Sequence, residues 1–392
     1  MDELLTAEAA ADHLGVSRPT LYAYVSRGLL RSEPGPGPSR ARRYPRAALD
    51  ELRERRERGR DRGLAAHGAL HWGLPVLDSA ITLIGGGRLY YRGRDALELS
   101  RTARFEEVAA LLWTGSGEAA ATLFEGAAEP AAPPPPGCLP AGLAAHLAGA
   151  GERALATVGS PAPARLRGVA RAVEGLFGAA GASGPGSLAE RLGHGWGTSA
   201  AADLDAALIL CADHELNISS FTARCVASAD AALEHVLLAA LCAMRGRRHG
   251  GMVERVESLI ADAEREGPQS ALRRALGEGE SVPGFGHSLY PDGDPRGAEL
   301  LRRAGLDPDR TRARSRDPAE AVAALARERL GLRPTLDFGL AVLARRLGLP
   351  AGAAFALFAL GRSAGWAAHA LETWEDQRLI RPRSRYTGPA PE

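Results

Sequence analysis

The stretch Ala212-Asp213-His214-Glu215-Leu216-Asn217-Ile218-Ser219-Ser220-Phe221-Thr222-Ala223-Arg224 decides how this chain is read. It predicts a buried helix that carries a His, an Asn and an Arg. His214, Asn217 and Phe221 stand at i, i+3 and i+7, the spacing of one helix face. A single His after the apolar run 206–212 is ordinarily a satisfied core residue. Asn217 and Arg224 raise the functional reading, because a core rarely sets three polar groups on one helix.

Four further segments each hold an isolated ionisable group. Arg248-His249-Gly250-Gly251 presents an imidazole beside two glycines that let a ligand approach the backbone. A surface turn after Arg245, Arg247 and Arg248 is the alternative. Pro283-Gly284-Phe285-Gly286-His287 is a glycine-rich loop ending in an imidazole, with Asp294-Pro295-Arg296 shortly after. No strand-to-helix fingerprint or Gly-Lys-Ser/Thr follows it, which argues against a nucleotide loop. The plain reading is a turn and a helix N-terminus. Asp337 lies between Leu336 and Phe338, either as a helix N-cap or as a carboxylate in low dielectric whose basicity rises. Arg362 is the sharpest anomaly, since 351–370 holds no other formal charge. A guanidinium in a core is costly unless an anion meets it. That anion is either a bound carboxylate or a distant Asp or Glu.

Composition narrows the classes. The chain has 392 residues, 45% hydrophobic and 24% charged, which fits two or three globular domains. A net charge of +1 gives no whole-chain pull toward nucleic acid or membrane. All 48 basic residues are Arg. Lysine Schiff bases and the phosphate-loop Lys are thereby excluded, and bidentate recognition of carboxylates is favoured. Cys138, Cys211, Cys225 and Cys242 form no C-x-x-C pair and read as reduced thiols of a cytosolic protein. The longest apolar run, 349–360, is too short to span a bilayer.

Three zones follow: a charged module at 1–62, a linker at 63–74, and a mostly helical body beyond. Two Pro/Gly-rich stretches, near 133–137 and 181–186, read as surface loops of that body. In the module, Thr6 is the expected N-cap of a helix over 7–14 that Gly15 stops. Ser17 caps a second helix, with Pro19 in its first turn, ending near Gly28. Residues 31–44 fit a wing, and 45–60 a closing charged helix. Through Gly63 there are thirteen Arg against ten acidic residues, an excess of three.

The run from Thr6 to Leu30 resembles the excisionase/MerR-like winged helix-turn-helix. The resemblance implies that Arg18, Thr20 and Tyr22 approach a major groove while Arg40, Arg42 and Arg43 meet phosphate. A capped helical pair reused for protein contacts is the alternative. The charge excess is small, so any DNA affinity should depend strongly on salt.

From Pro75-Val76-Leu77-Asp78-Ser79-Ala80-Ile81-Thr82 and Tyr91-Arg92-Gly93 to the basic tail Arg381-Pro382-Arg383-Ser384-Arg385-Tyr386-Thr387-Gly388, the chain resembles citrate synthase. The resemblance implies a mainly α fold, with a large domain at 75–251 and 351–388 and a small domain at 252–350. It implies that Asp337 removes a methyl proton from acetyl-CoA, that His249 stabilises the enol at the thioester oxygen, and that His287 polarises the oxaloacetate carbonyl. His214, Arg296, Arg362 and Arg381 would hold the oxo-acid, and Phe358 would wall the pocket. Arg381 would reach a neighbouring subunit, which implies a homodimer. Acetyl-CoA is a co-substrate; no metal or prosthetic group is implied.

Departures from the family pattern cluster at the coenzyme. Ser288 and Pro291 stand where the family favours basic residues, the latter meeting CoA phosphate. Arg248 replaces a small or apolar residue, and Met252-Val253-Glu254 departs from the usual segment after the glycines. Two functions are therefore expected to compete. One is synthesis of citrate in the tricarboxylic acid cycle, or of 2-methylcitrate from propionyl-CoA. The other is a DNA-binding regulator that uses the body as an oxo-acid or acyl-CoA sensor. The enzyme reading requires His249, His287 and Asp337 to meet in one dry cleft beside guanidiniums.

Overall fold

The structure, a computed structural model, describes residues 4–26, 30–35, 42–50, 52, 77–125, 139–153, 162–277, 281–310, 312–384 and 386–389. Contacts divide the chain into two units, with the boundary after Asp78.

The first unit is a winged helix-turn-helix. Thr6 Oγ1 accepts the Ala9 N–H at 3.2 Å and starts helix Ala7–Leu14. Gly15, at φ 62°, ends it in the left-handed region that glycine adopts without a Cβ clash. Ser17 opens helix Arg18–Ser26, its hydroxyl 2.8 Å from that of Thr20. Strand Arg42–Pro45 runs between Leu4–Leu5 and Glu33–Pro34, antiparallel to both. Ala10, Leu14, Leu21, Leu30, Tyr44, Leu49 and Leu52 bury a small core. The closing helix is seen at 46–50 and 52; the rest of it, the wing tip with Arg40, and the linker at 63–74 lie outside the described residues.

The second unit starts with a hairpin. Strands Thr82–Gly85 and Arg88–Tyr91 pair antiparallel across Gly86-Gly87, whose φ values of 58° and 72° suit a two-residue turn. Arg94–Asp95 adds a third strand. Tyr91 Oη donates to the Ile209 carbonyl at 2.9 Å and so ties the hairpin to the end of helix Ala201–Cys211. The remaining described residues of this unit form helices joined by turns and loops. Residues 181–186 form a loop, as their glycines require, whereas 133–137 lie outside the described residues. Cys211, Cys225 and Cys242 are free thiols. No helix among the described residues is long and apolar enough to cross a membrane.

At the centre lies helix Ala353–Asp376, 24 residues long and buried over most of its length. A helix apolar all round needs partners on every side. Helices Ala201–Cys211, Ile218–Ala227, Leu233–Met244 and Leu336–Arg346 supply them. Two glycines set the closest approach. A Cβ at Gly361 would lie 2.4 Å from the Leu208 carbonyl oxygen, and one at Gly365 2.3 Å from that of Ala212. The Gly365 N–H donates to the Ala212 carbonyl at 3.0 Å. Gly361→Ala should therefore destabilise the fold by about 2 kcal/mol or more through overpacking. Urea unfolding of the full chain checks this; an unchanged midpoint would show that the helices do not approach so closely.

Candidate active site

His214, Asn217 and Phe221 do not share one helix face. Helix Ala201–Cys211 stops short of His214, and Asn217 is the N-cap of the next helix, Ile218–Ala227. Its Oδ1 accepts the N–H groups of Ser219 at 3.0 Å and Ser220 at 3.1 Å. Asn side chains compete with the backbone for such donors and favour caps over helix interiors. Glu215, at φ 51°, turns the chain between the helices. The break leaves His214 in a buried turn, 8% exposed.

Four elements converge on that turn. The His287 ring stands edge-on to His214 with centroids 5.3 Å apart. Tyr290, from the same loop as His287, lies with its hydroxyl 3.1 Å from His214 Nε2. The Arg296 guanidinium sits 5.3 Å over the Tyr290 ring. From helix Ala353–Asp376, Phe358 meets His249 at 5.9 Å and carries the Arg362 guanidinium 5.0 Å above its ring. His214 lies in the positive fields of Arg296 and Arg362, which sets it between the two guanidiniums. Asp337 lies in the fields of Arg296 and Asp294.

Asp337 is not an N-cap. Thr335 holds that position, and Asp337 sits in the first turn of helix Leu336–Arg346. Thr335 Oγ1 donates to Asp337 Oδ2 at 3.2 Å. Burial pushes the Asp337 carboxyl up to about 6, with Arg296 opposing and Asp294 adding to the rise. Asp294 behaves differently. It grips Arg296 through two bonds, Nε to Oδ1 at 3.0 Å and Nη2 to Oδ2 at 2.9 Å, and takes the Leu336 N–H at 3.0 Å. Burial opposes its ionisation, yet Arg296 holds its pKa below the usual carboxylate range. Two acids on neighbouring elements are thus tuned apart: one always ionised, one able to take a proton near neutrality.

The imidazoles are neutral. Burial, then the field of Arg362, brings His249 down to about 3. Burial first and Arg296 second also lower His287 and His214. His287 Nδ1 accepts the Leu289 N–H at 3.2 Å, which puts its proton on Nε2. For His249 the arbiter is Ser219, whose hydroxyl is 2.7 Å from Nε2 and 2.8 Å from Asn217 Oδ1. Trp366 Nε1 donates to the same hydroxyl at 3.0 Å, so Ser219 has one proton to give and two acceptors for it.

No carboxylate among the described residues hydrogen-bonds Arg362; the buried Asp213 acts on it through its field. Arg362 makes one hydrogen bond among the described residues, from Nε to the Cys211 carbonyl at 2.6 Å. It is 1% exposed. Arg224, by contrast, is fully occupied. It bonds His369 Nδ1 at 2.9 Å and pairs with Glu372, while His369 Nε2 faces Asp213 Oδ1 at 3.3 Å. This chain of four charges or dipoles ties helix Ile218–Ala227 to helix Ala353–Asp376 beneath the site.

Tyr290, Ser219, Trp366 and the Asp294 clamp were not singled out from sequence for the site. Spacing offered one usable signal, since Tyr290 follows His287 by three residues. Arg381 lies on the exposed tail and does not join the cluster. Ser288 and Pro291 are exposed beside it, as is Arg248. In the first unit, Arg18 and Tyr22 are exposed, Thr20 and Arg43 half-buried, and Arg42 exposed on the wing strand.

Residues 68–134 and 183–383 match the family model described as citrate synthase, C-terminal domain. The chain belongs to the citrate synthase family. Residues 4–57 match a helix-turn-helix domain model. The citrate synthase of Haloferax volcanii is 36% identical over 192 residues, 47% of this chain and 49% of that protein. The 2-methylcitrate synthase 1 of Corynebacterium glutamicum is 33% identical over 190 residues, 47% of this chain and 49% of that protein. This chain thus spans about half the length of the curated relatives it matches. The crystal structure of citrate synthase from Thermotoga maritima superposes with a TM-score of 0.66 at 26% identity, covering 82% of this chain and 95% of that one. Among the described residues no group of three or more His, Cys, Asp or Glu could hold a metal ion.

Proposed function

We propose that this chain condenses an acyl-CoA, acetyl-CoA first and propionyl-CoA as the variant, with oxaloacetate to give citrate or 2-methylcitrate and CoA. The observation that carries the reading is the gathering of His214, His287, Tyr290 and the buried Arg296 at one turn, with His249 and the buried Arg362 against Phe358 and Asp337 on the helix whose first N–H Asp294 accepts. Asp337 takes a proton from the methyl group. His249 donates to the thioester oxygen, where charge develops. The enol carbon attacks the oxaloacetate carbonyl, which His287 polarises through Nε2–H. Water then cleaves the thioester and releases CoA. A neutral donor suits an oxyanion that must keep its electron density for the next step. If His249 donates from Nδ1, the Ser219 proton must lie on the Nε2 side. His214, Arg296 and Arg362 bind the oxo-acid, and Phe358 walls it.

Arg381 lies on the exposed tail, and we assign it to a neighbouring copy's site in a homodimer. Residues 252–350, which carry His287, Arg296 and Asp337, would close over the site and exclude water.

The decisive experiment is thiol release from acetyl-CoA with oxaloacetate. Turnover supports the reading. Absence of turnover in a protein that still binds oxaloacetate would sink it. The same assay on Ser219→Ala should show kcat lowered at least tenfold with the KM for oxaloacetate within twofold. An unchanged kcat would remove Ser219 from the tautomer argument.

A second reading rests on the helix-turn-helix match at 4–57. In it, Arg18, Thr20 and Tyr22 read a groove, Arg40, Arg42 and Arg43 hold phosphate, and the body senses an oxo-acid or acyl-CoA. Fluorescence anisotropy with duplex DNA at two salt concentrations tests it. Binding that weakens steeply with salt supports it, and no binding at low salt removes it.

A further inference from the structure

An acyl-CoA carries several phosphate charges, so the mouth of its site must offer cations. The loop 286–294 that delivers His287 offers none: its exposed positions are Gly286, Ser288, Pro291 and Asp292. Arg296, just beyond, is buried and held by Asp294. We infer that Arg333 supplies the missing cation and binds the coenzyme's phosphates. This deepens the reading proposed above and rests on it for the identity of the ligand.

The geometry places Arg333 against that loop. Its carbonyl accepts the Gly286 N–H at 2.9 Å, and Thr335 N–H donates to the Gly284 carbonyl at 2.8 Å. Phe285 and Pro334 form a β-bridge between these two contacts. The Arg333 stem lies over Gly293: a Cβ there would stand 2.8 Å from Arg333 Cδ, and Gly293 has φ 116°. Two backbone bonds thus fix the segment that carries Arg333, and its stem rests over Gly293 beside the loop that carries His287.

The guanidinium itself is half-exposed. It bonds Asp309 Oδ1 at 2.7 Å, and both side chains face solvent, 46% and 62% exposed. An exposed pair of this kind contributes little, so a phosphate readily displaces the carboxylate. Asp309 then acts as a placeholder that keeps the guanidinium oriented when the site is empty. Arg245 is less suited, since it sits over the Phe355 ring and lies 3.7 Å from Glu254.

Calorimetric titration of the full chain with CoA tests the assignment without needing turnover. Arg333→Gln should weaken CoA binding about tenfold and flatten its salt dependence, while Asp309→Asn should bind CoA as tightly as the parent or more tightly. In turnover, Arg333→Gln should raise the KM for acetyl-CoA about tenfold and leave the KM for oxaloacetate within twofold. With S-acetyl-N-acetylcysteamine, a thioester lacking phosphate, kcat/KM should fall less than twofold. Equal losses with both thioesters would assign Arg333 a structural role in the loop and overturn the inference, as would unchanged CoA affinity. Tenfold weaker CoA binding in a chain that never turns over would leave this assignment standing while the synthase reading fails.

Discussion

Asp337→Asn is expected to lower kcat for condensation about a thousandfold, within the range that removal of a general base produces. The substitution keeps the shape and loses only the ability to take a proton. Oxaloacetate affinity should change less than twofold, because the Arg residues bind that substrate. The pH profile adds an independent check. The Asp337 pKa is raised to about 6, chiefly by burial, so the base is ionised above that pH and protonated below it. Wild-type kcat/KM should therefore fall tenfold per pH unit on the acid side of about 6. His249, brought down to about 3, stays neutral through this window, and burial lowers His287 as well. The acid limb should vanish in Asp337→Asn. Turnover surviving at more than a tenth of the parent rate would transfer the base to another group.

Arg362→Met carries the second large effect. Met fills much of the same space without charge. Binding of oxaloacetate should weaken about a hundredfold, the loss expected for roughly 3 kcal/mol of charge-assisted hydrogen bonding. Stability should hold or rise, because the one hydrogen-bond partner of Arg362 among the described residues is the Cys211 carbonyl, and Asp213 offsets its desolvation through its field alone. Isothermal titration and urea unfolding read the two effects separately. If stability fell in step with binding, Arg362 would be a structural ion and its carboxylate partner would lie within the protein.

Much of the candidate site could be read along the chain because each residue is chemically out of place there. Arg362 stands in twenty residues without another formal charge, and Asp337 stands between Leu and Phe. Glycines beside His249 and His287 mark turns that bring backbone close to a ligand. The helix-turn-helix was equally legible: Thr6, Gly15 and Ser17 are local signals, and the structure uses Thr6 and Gly15 as caps. The reading of 212–224 as one helix failed for an equally local reason. Asn217 is a good cap, and its Oδ1 takes the donors of the following turn before an uninterrupted helix can.

What the sequence determined alone was the set of reactive groups, the helical class of the body and the winged module ahead of it. Periodicity, caps and stranded charges are properties of neighbouring residues, and neighbours are visible in a string. Tertiary structure decided which group does what. It gave Asp294 to Arg296, left Arg362 without a carboxylate hydrogen bond among the described residues, spent Arg224 on His369 and Glu372, and set Asp337 in the low dielectric that lifts its pKa. The reason is that ionisation depends on burial and on charges a few ångströms away, and those charges come from residues as much as 148 positions distant.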